Sequence, residues 1–204
     1  MVLNALMEEP YEPLHKAEPR ASLLKTLFLV AICSGARASE LTALDARPEM
    51  LVIRRGYASL KANPAFQPKV ASEANINREI VLEAFMPDYD KDSRFETQFL
   101  SLCPVKALRW YQARMGESRR PGIHQPFVSR AKGMEGNPVA HPTVSNWLVE
   151  VIQLAYRRYG IEPPKVRAHS TRAVTTLFAN LRGASVEDVC RAATGSSSSA
   201  FAKH

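Results

Sequence analysis

The sequence reads Ser34-Gly35-Ala36-Arg37-Ala38-Ser39-Glu40-Leu41 at the point where two predicted helices meet. Apolar side chains such as Leu23 and Leu27 precede this stretch at helical spacing, and Ser34-Gly35 is a typical helix stop. A second helix, over residues 39–45, follows after a tight turn. Arg37 is therefore expected at a junction of two helices, the first of which belongs to the core.

A second informative stretch, His169-Ser170-Thr171-Arg172, opens a helix predicted from His169 to about Leu181. Residues three apart on a helix face the same way, so His169 and Arg172 can contact one small anion together. Arg offers a planar fork to two phosphate oxygens, and His can donate a hydrogen bond or move a proton near neutral pH. The same spacing is also typical of a helix-end cap beside a surface charge. The apolar side chains of this helix are expected to be buried: Val174, Leu177, Phe178 and Leu181.

Between these two stretches the pattern predicts a small sheet. Short apolar runs at 51–53, 57–60 and 79–82 are separated by an Arg55-Gly56 turn and by a long irregular segment. They indicate three antiparallel strands with an elongated loop between the second and the third. A further short strand is indicated at Phe127-Val128.

Further helices complete the predicted fold: a short one within residues 1–20, a short one that begins at Ser185, and two longer ones. One begins at Pro104, which suits the first turn of a helix, and the other runs from about Val144 to Gly160. Trp147 lies in the second and is expected to pack in the core. The predicted fold class is α+β and mainly helical, in one domain over residues 1–204.

The charge balance favours a polyanionic partner. The 204 residues include 27 Lys and Arg against 20 Asp and Glu, a formal net charge of +7. Residues 151–204 hold eight of the basic residues against three acids, which is five of the seven excess positive charges. Nucleic acid is the natural polyanion for such a segment, and a solvated basic face is the alternative.

The three cysteines, Cys33, Cys103 and Cys190, are odd in number and widely spaced. This usage predicts a reduced intracellular protein without a metal site or a cofactor. The most apolar run, residues 27–33, is too short for a membrane span, and the acidic N-terminus is unlike a signal peptide. We expect a soluble protein that is not secreted and has no membrane partner.

Taken together, the two stretches resemble the catalytic domain of tyrosine recombinases and phage-type integrases. That family carries a Thr/Ser-Gly-x-Arg-x-Ser-Glu-Leu box, a small sheet, a helical middle and a His-x-x-Arg box in this order, over essentially the whole chain. Finer matches resemble the recombinases of DIRS-like and Ngaro-like retrotransposons of animal genomes. They lie at residues 24–26, 63–69, 101–105, 167–172 and 190–194.

The resemblance implies metal-free DNA recombination and integration through a phosphotyrosyl intermediate. It implies that Arg37 and Arg172 hold the phosphate oxygens as charge builds up, and that His169 assists proton movement or donates a hydrogen bond. A lysine on the loop between the second and third strands would protonate the leaving 5′ hydroxyl. Lys69 matches the loop motif, with Lys61 as the alternative.

Two further roles follow from the resemblance. Arg167, which directly precedes the His-x-x-Arg box, is expected to contact DNA together with Arg37, Lys69 and Arg172. Glu40 is expected to orient Arg37 and to fix the helix junction rather than to take part in chemistry.

The sequence departs from the family at two positions. Gly195 stands where the family has a Trp or His that donates a hydrogen bond to the phosphate, and the nucleophilic tyrosine would be the residue after His204. No tyrosine follows Arg172. The N-terminal DNA-clamping domain of the family is also absent from the 204 residues. We therefore expect a catalytic domain truncated before its nucleophile, which binds DNA with strong salt dependence but does not cut it.

Three functional hypotheses follow from these observations. The chain is a truncated recombinase, a decayed or domesticated copy that binds DNA without cutting, or a protein-interaction module that kept only the scaffold. The expected partner is double-stranded DNA, with a homo-oligomer on DNA as in the family. The expected location is the nucleus in a eukaryote and the cytoplasm otherwise.

Overall fold

The computed structural model describes residues 1–68, 79–85, 100–115, 118–181 and 183 of the chain. Within them the fold is α+β and mostly helical, with one three-stranded antiparallel sheet, which confirms the predicted class. The elements, in chain order, are α1 (Val2–Leu6), α2 (Pro19–Ser34), α3 (Ala38–Ala43), β1 (Leu51–Ile53), β2 (Tyr57–Lys61), β3 (Glu79–Glu83), α4 (Pro104–Met115), α5 (His141–Arg158) and α6 (His169–Leu181).

Helix α2 is the centre of the fold, and α4, α5, α6 and β3 all pack on it. Its sequence is apolar on every side, which is typical of a fully buried helix. Even Lys25 is completely buried; its Nζ donates to the Leu6 carbonyl at 2.7 Å and contacts the Glu12 carboxylate. Burial lowers the pKa of Lys25, although the hydrogen bond to Glu12 and its charge oppose this shift. Lys25 is thus one of the side chains that attach the N-terminal segment to the core.

The sheet has the order β1-β2-β3, and its register places Ala58 opposite Leu82 and Leu60 opposite Ile80. These four side chains are buried, whereas Val81 on the other face is 57% exposed. Successive side chains of a strand point to opposite faces, so one face of the sheet joins the core and the other faces solvent.

The start of the loop after β2 is attached to the end of α3. The Asp45 N–H donates to the Lys61 carbonyl at 3.1 Å, and the Asn63 N–H donates to the Ala43 carbonyl at 2.8 Å. The buried Asp45 carboxylate accepts from Arg47 NH2 at 2.8 Å and from Asn63 Nδ2 at 3.0 Å. Burial by itself would raise the pKa of Asp45, but the hydrogen bonds and charge of Arg47 outweigh it and lower the pKa.

Two predictions about packing have different outcomes. Trp147 is buried in α5, as expected, with the Arg20 guanidinium 4.9 Å from its ring centroid. Phe127 and Val128 are buried but do not form a strand, so that prediction was wrong. The chain beyond them folds back on itself, with the Ser129 N–H donating to the Asn137 carbonyl at 2.9 Å. An apolar pair in a compact loop can be buried without joining a sheet.

No helix in the described part of the chain is both long enough and apolar enough to cross a membrane.

Candidate functional site

The turn between α2 and α3 depends on a glycine. Gly35 has φ +60° and ψ 17°, the left-handed conformation that commonly ends a helix, and its N–H donates to the Ala31 carbonyl at 3.0 Å. The Ser34 hydroxyl donates to the Val30 carbonyl at 2.6 Å and accepts from the Ala36 N–H at 3.2 Å. Only two residues then separate the end of α2 from Arg37, so the position of this arginine is fixed by the turn.

Arg37 is bound by Glu40 at two points. The Glu40 carboxylate accepts a hydrogen bond from the Arg37 N–H at 2.8 Å and another from the Arg37 NH1 at 3.3 Å. Both side chains are largely buried, with exposed fractions of 19% for Arg37 and 11% for Glu40. Arg37 is also the residue that precedes α3, so Glu40 fixes the first turn of this helix and the direction of the arginine together. This contact is the one that the predicted orienting role of Glu40 requires.

Helix α6 begins at His169, as predicted, and its first turn is held by local hydrogen bonds. The Ser170 hydroxyl accepts from the Arg167 N–H at 3.2 Å, and the Thr171 hydroxyl donates to the Ala168 carbonyl at 2.9 Å. Thr171 is buried and faces the core, whereas His169 is exposed. Arg172 is half-buried. The helix therefore presents histidine to solvent and arginine at the edge of the packed face.

The two sequence boxes meet where α6 packs on the end of α2. The Thr175 hydroxyl donates to the Ile32 carbonyl at 2.7 Å, and a Cβ placed on Gly35 would lie 3.5 Å from Thr175 Cγ2. Arg37 comes two residues after Gly35, and Arg172 comes three residues before Thr175, on the adjoining part of the same helix face. Both arginines thus border one junction, which we call the α2–α6 junction (residues 32–40 and 169–175).

Of the two predicted proton donors, the structure describes one. Lys69 lies outside the described residues. Lys61, the alternative, is at the end of β2, half-exposed, with its Nζ 4.0 Å from the Glu79 carboxylate. Its carbonyl is bonded near the C-terminal end of α3, whereas Arg37 precedes the N-terminal end. The six residues of α3 span about 9 Å at the usual rise of an α-helix, so Lys61 and Arg37 stand at opposite ends of it.

A groove lies beside the segment that leads into α6. Its volume is about 590 Å³, and its lining includes Arg157, Lys165 and Glu162. Arg167, predicted to contact DNA, is exposed two residues beyond Lys165. The sequence had indicated a basic excess in this region without singling out Arg157 or Lys165. The structure brings these two cations together in one groove, which is formed in part by the segment that precedes α6.

The predicted burial of α6 is partly wrong. Val174 is 40% exposed and Leu177 is 54% exposed, whereas the side chains of Phe178 and Leu181 lie outside the described residues. The described part of the packed face is instead formed by Thr171 and Thr175, whose hydroxyls donate to carbonyl oxygens. Because threonine can satisfy its hydroxyl in this way, a polar side chain can occupy a helix interface.

A scan against protein-family models and a search of curated proteins both found no match to this chain. No cluster of His, Cys, Asp and Glu that could hold a metal ion occurs among the residues that the structure describes. Function is therefore proposed from the residues of the α2–α6 junction and the sequence boxes that form it.

Proposed function

We propose that the chain is a tyrosine recombinase-type domain that binds the phosphates of duplex DNA at the α2–α6 junction. The observation that supports this best is the hydrogen bond of Thr175 to Ile32, close to Gly35. It joins the two segments that carry the boxes, although 127 residues lie between Leu41 and His169. Arg37 lies two residues after Gly35 and Arg172 lies three residues before Thr175. Two guanidinium groups with one imidazole nearby suit the non-bridging oxygens of a phosphodiester.

The chemistry proposed for these side chains is electrostatic. Glu40 holds Arg37 in place, so this guanidinium does not have to be ordered when DNA binds. His169, exposed in the first turn of α6, is accessible to donate a hydrogen bond to a phosphate oxygen. No tyrosine follows Arg172 in the sequence, so the activity proposed for the 204 residues is phosphate binding rather than strand cleavage.

Lys69 remains the proposed proton donor of the family reaction. Two observations count against Lys61, namely its ion pair with Glu79 and its position at the far end of α3 from Arg37.

The test is fluorescence anisotropy of a labelled DNA duplex at low and moderate salt. The variant Arg37→Ala with Arg172→Ala should bind more weakly, and its salt slope should fall by about 0.9 for each phosphate that the protein no longer neutralises. The matched control is Arg120→Ala with Lys132→Ala, which removes the same charge from exposed positions outside the junction. Equal weakening in the two double variants, with both still folded by circular dichroism, would show a diffuse basic surface instead of a site.

A protein-interaction module is the second candidate, and the exposure of Val174 and Leu177 favours it. Neighbouring apolar side chains on an exposed helix face are typical of a docking surface. This function would make duplex binding indifferent to Arg37 and Arg172, so the same anisotropy series separates the two candidates.

A further inference from the structure

The solvent face of α4 carries a basic and aromatic stripe. Lys106, Arg109 and Trp110 are exposed and lie at positions i, i+3 and i+4, so they share one side of the helix. Trp110 is 39% exposed, which is unusual for so large an apolar ring. The opposite side of α4 is buried against α2, where the Thr26 hydroxyl donates to the Ala107 carbonyl at 3.3 Å. The stripe therefore faces away from the core.

The turn between β1 and β2 extends this stripe. Arg109 NH2 donates to the Arg54 carbonyl at 2.7 Å, so the turn that carries Arg54 and Arg55 lies directly against α4. All four basic side chains are in exposed residues. Glu83 is an exposed acid at the end of β3, close to the same turn, because the next residue bonds to the Gly56 carbonyl at 2.8 Å. Among the residues that the structure describes, these four cations outnumber the one acid named, so this part of the surface beside Trp110 is positive.

We propose that this basic-aromatic surface, formed by Arg54, Arg55, Lys106, Arg109 and Trp110, binds single-stranded nucleic acid. Cations hold the backbone of a single strand, and an exposed aromatic ring stacks on its unpaired bases. The bases of a duplex are already stacked on one another, so a flat ring on a helix face selects for the single strand. None of these five residues belongs to the α2–α6 junction. The surface is a second nucleic-acid site, and it does not depend on the function proposed for that junction.

Tryptophan fluorescence gives a direct readout, because the chain has two tryptophans and the other one, Trp147, is only 6% exposed. The probe is a short oligothymidylate, titrated into the full chain at low salt. Stacking of thymine on Trp110 should quench the emission, whereas an abasic strand of the same length should quench it little. The Trp110→Ala variant should lose the quenching and bind a labelled oligothymidylate about tenfold more weakly or worse.

Charge is tested separately from stacking. Lys106→Gln with Arg109→Gln should weaken oligothymidylate binding and lower its salt slope by about 0.7 for each phosphate no longer neutralised. The control is Lys132→Gln, which replaces an exposed lysine in a loop outside this surface and should change binding little. Duplex binding through Arg37 and Arg172 should be unaffected by Trp110→Ala, which keeps the two proposals apart.

Three results would overturn the proposal. The abasic strand could bind the wild-type chain as tightly as oligothymidylate does, which would mean that no base stacks on the surface. A duplex could quench Trp110 as strongly as the single strand, which would make this a duplex-binding surface. Binding could also be indifferent to Trp110→Ala and to the double glutamine variant, which would locate the single strand elsewhere.

Discussion

At the scale of single residues, two of the candidate basic side chains, Arg37 and Lys61, are each held by a carboxylate. Glu40 holds both the backbone and the guanidinium of Arg37, and Glu79 draws Lys61 toward the sheet. The contact with Glu40 holds Arg37 beside the α2–α6 junction, whereas the contact with Glu79 holds Lys61 at the sheet. They also distinguish a phosphate site with an oriented arginine from a surface that attracts DNA only through its net positive charge.

Glu40→Ala tests the orienting contact through the sign of its effect. The substitution makes the chain more positive, so long-range attraction alone predicts tighter duplex binding. Loss of the contact to Arg37 predicts weaker binding, together with a free energy of unfolding lower by roughly 0.5–2 kcal/mol, as for other helix-capping side chains. Duplex anisotropy and urea unfolding measure the two effects. Glu135→Ala removes an exposed acid of the same charge and should not weaken binding; if Glu40→Ala also binds more tightly, Glu40 does not orient Arg37.

Asp45 predicts a specific acid sensitivity. The lowered pKa means that the folded protein binds this proton less readily than the unfolded chain, whose Asp has the ordinary value of 3.8. The ionised carboxylate therefore stabilises the fold above about that pH, and this stabilisation is lost as the pH falls through the lower folded pKa. Free energies of unfolding across acidic pH should show the difference between wild type and Asp45→Asn shrinking on acidification. A constant difference would mean that Asp45 does not contribute through its charge.

At the scale of elements, the sequence predicted what local patterns encode. The Arg55-Gly56 turn and flanking apolar runs predicted β1 and β2, and helical spacing followed by a glycine predicted α6. Val174 and Leu177 were wrongly expected to be buried. Helical periodicity shows that one face of α6 carries apolar side chains, but it does not show whether another element covers that face. The contacts of Thr175 with Ile32 and of Asp45 with Asn63 join residues that are not neighbours in the sequence, so no local pattern could predict them.

Thr175→Val tests the contact that joins α6 to α2. The substitution keeps the shape of the side chain but removes the hydrogen bond to the Ile32 carbonyl, which should cost about 1 kcal/mol of unfolding free energy. Duplex binding should weaken as well, because Arg172 depends on this packing for its place. Thr176→Val is a matched control, since among the described residues its hydroxyl bonds to the Ala173 carbonyl of its own helix and to no other element. Equal destabilisation by the two variants would mean that Thr175 does not anchor α6.

At the scale of the whole molecule, the chain combines a positive net charge with two separate basic surfaces. The two boxes of the α2–α6 junction could be identified from the sequence. The order of the elements between them also followed the sequence pattern. The surface on α4 was not predicted, because Lys106, Arg109 and Trp110 become one stripe only when their helix is seen to be buried on the other side. The two proposals together describe a protein that binds duplex DNA at one surface and single-stranded nucleic acid at the other.

A tyrosine added directly after His204, with Gly195→His, tests the family reaction in the whole chain. We expect a covalent protein–DNA adduct on a nicked duplex, seen as a band that survives a denaturing gel. The same chain with phenylalanine added in place of tyrosine is the control and should form no adduct. Absence of the adduct from a variant that still binds duplex DNA normally would count against the recombinase chemistry but not against phosphate binding.

A double-mutant cycle on Arg37 and Arg172 tests whether the α2–α6 junction is a single phosphate site. Duplex affinity is measured for the wild type, for each single Arg→Ala variant and for the double variant. Two arginines that hold the same phosphate should be coupled, so the free-energy losses should differ from additivity by about 0.5–3 kcal/mol. Losses that add to within about 0.3–0.5 kcal/mol would mean that Arg37 and Arg172 act as independent charges, and the proposal of one shared phosphate site would then be wrong.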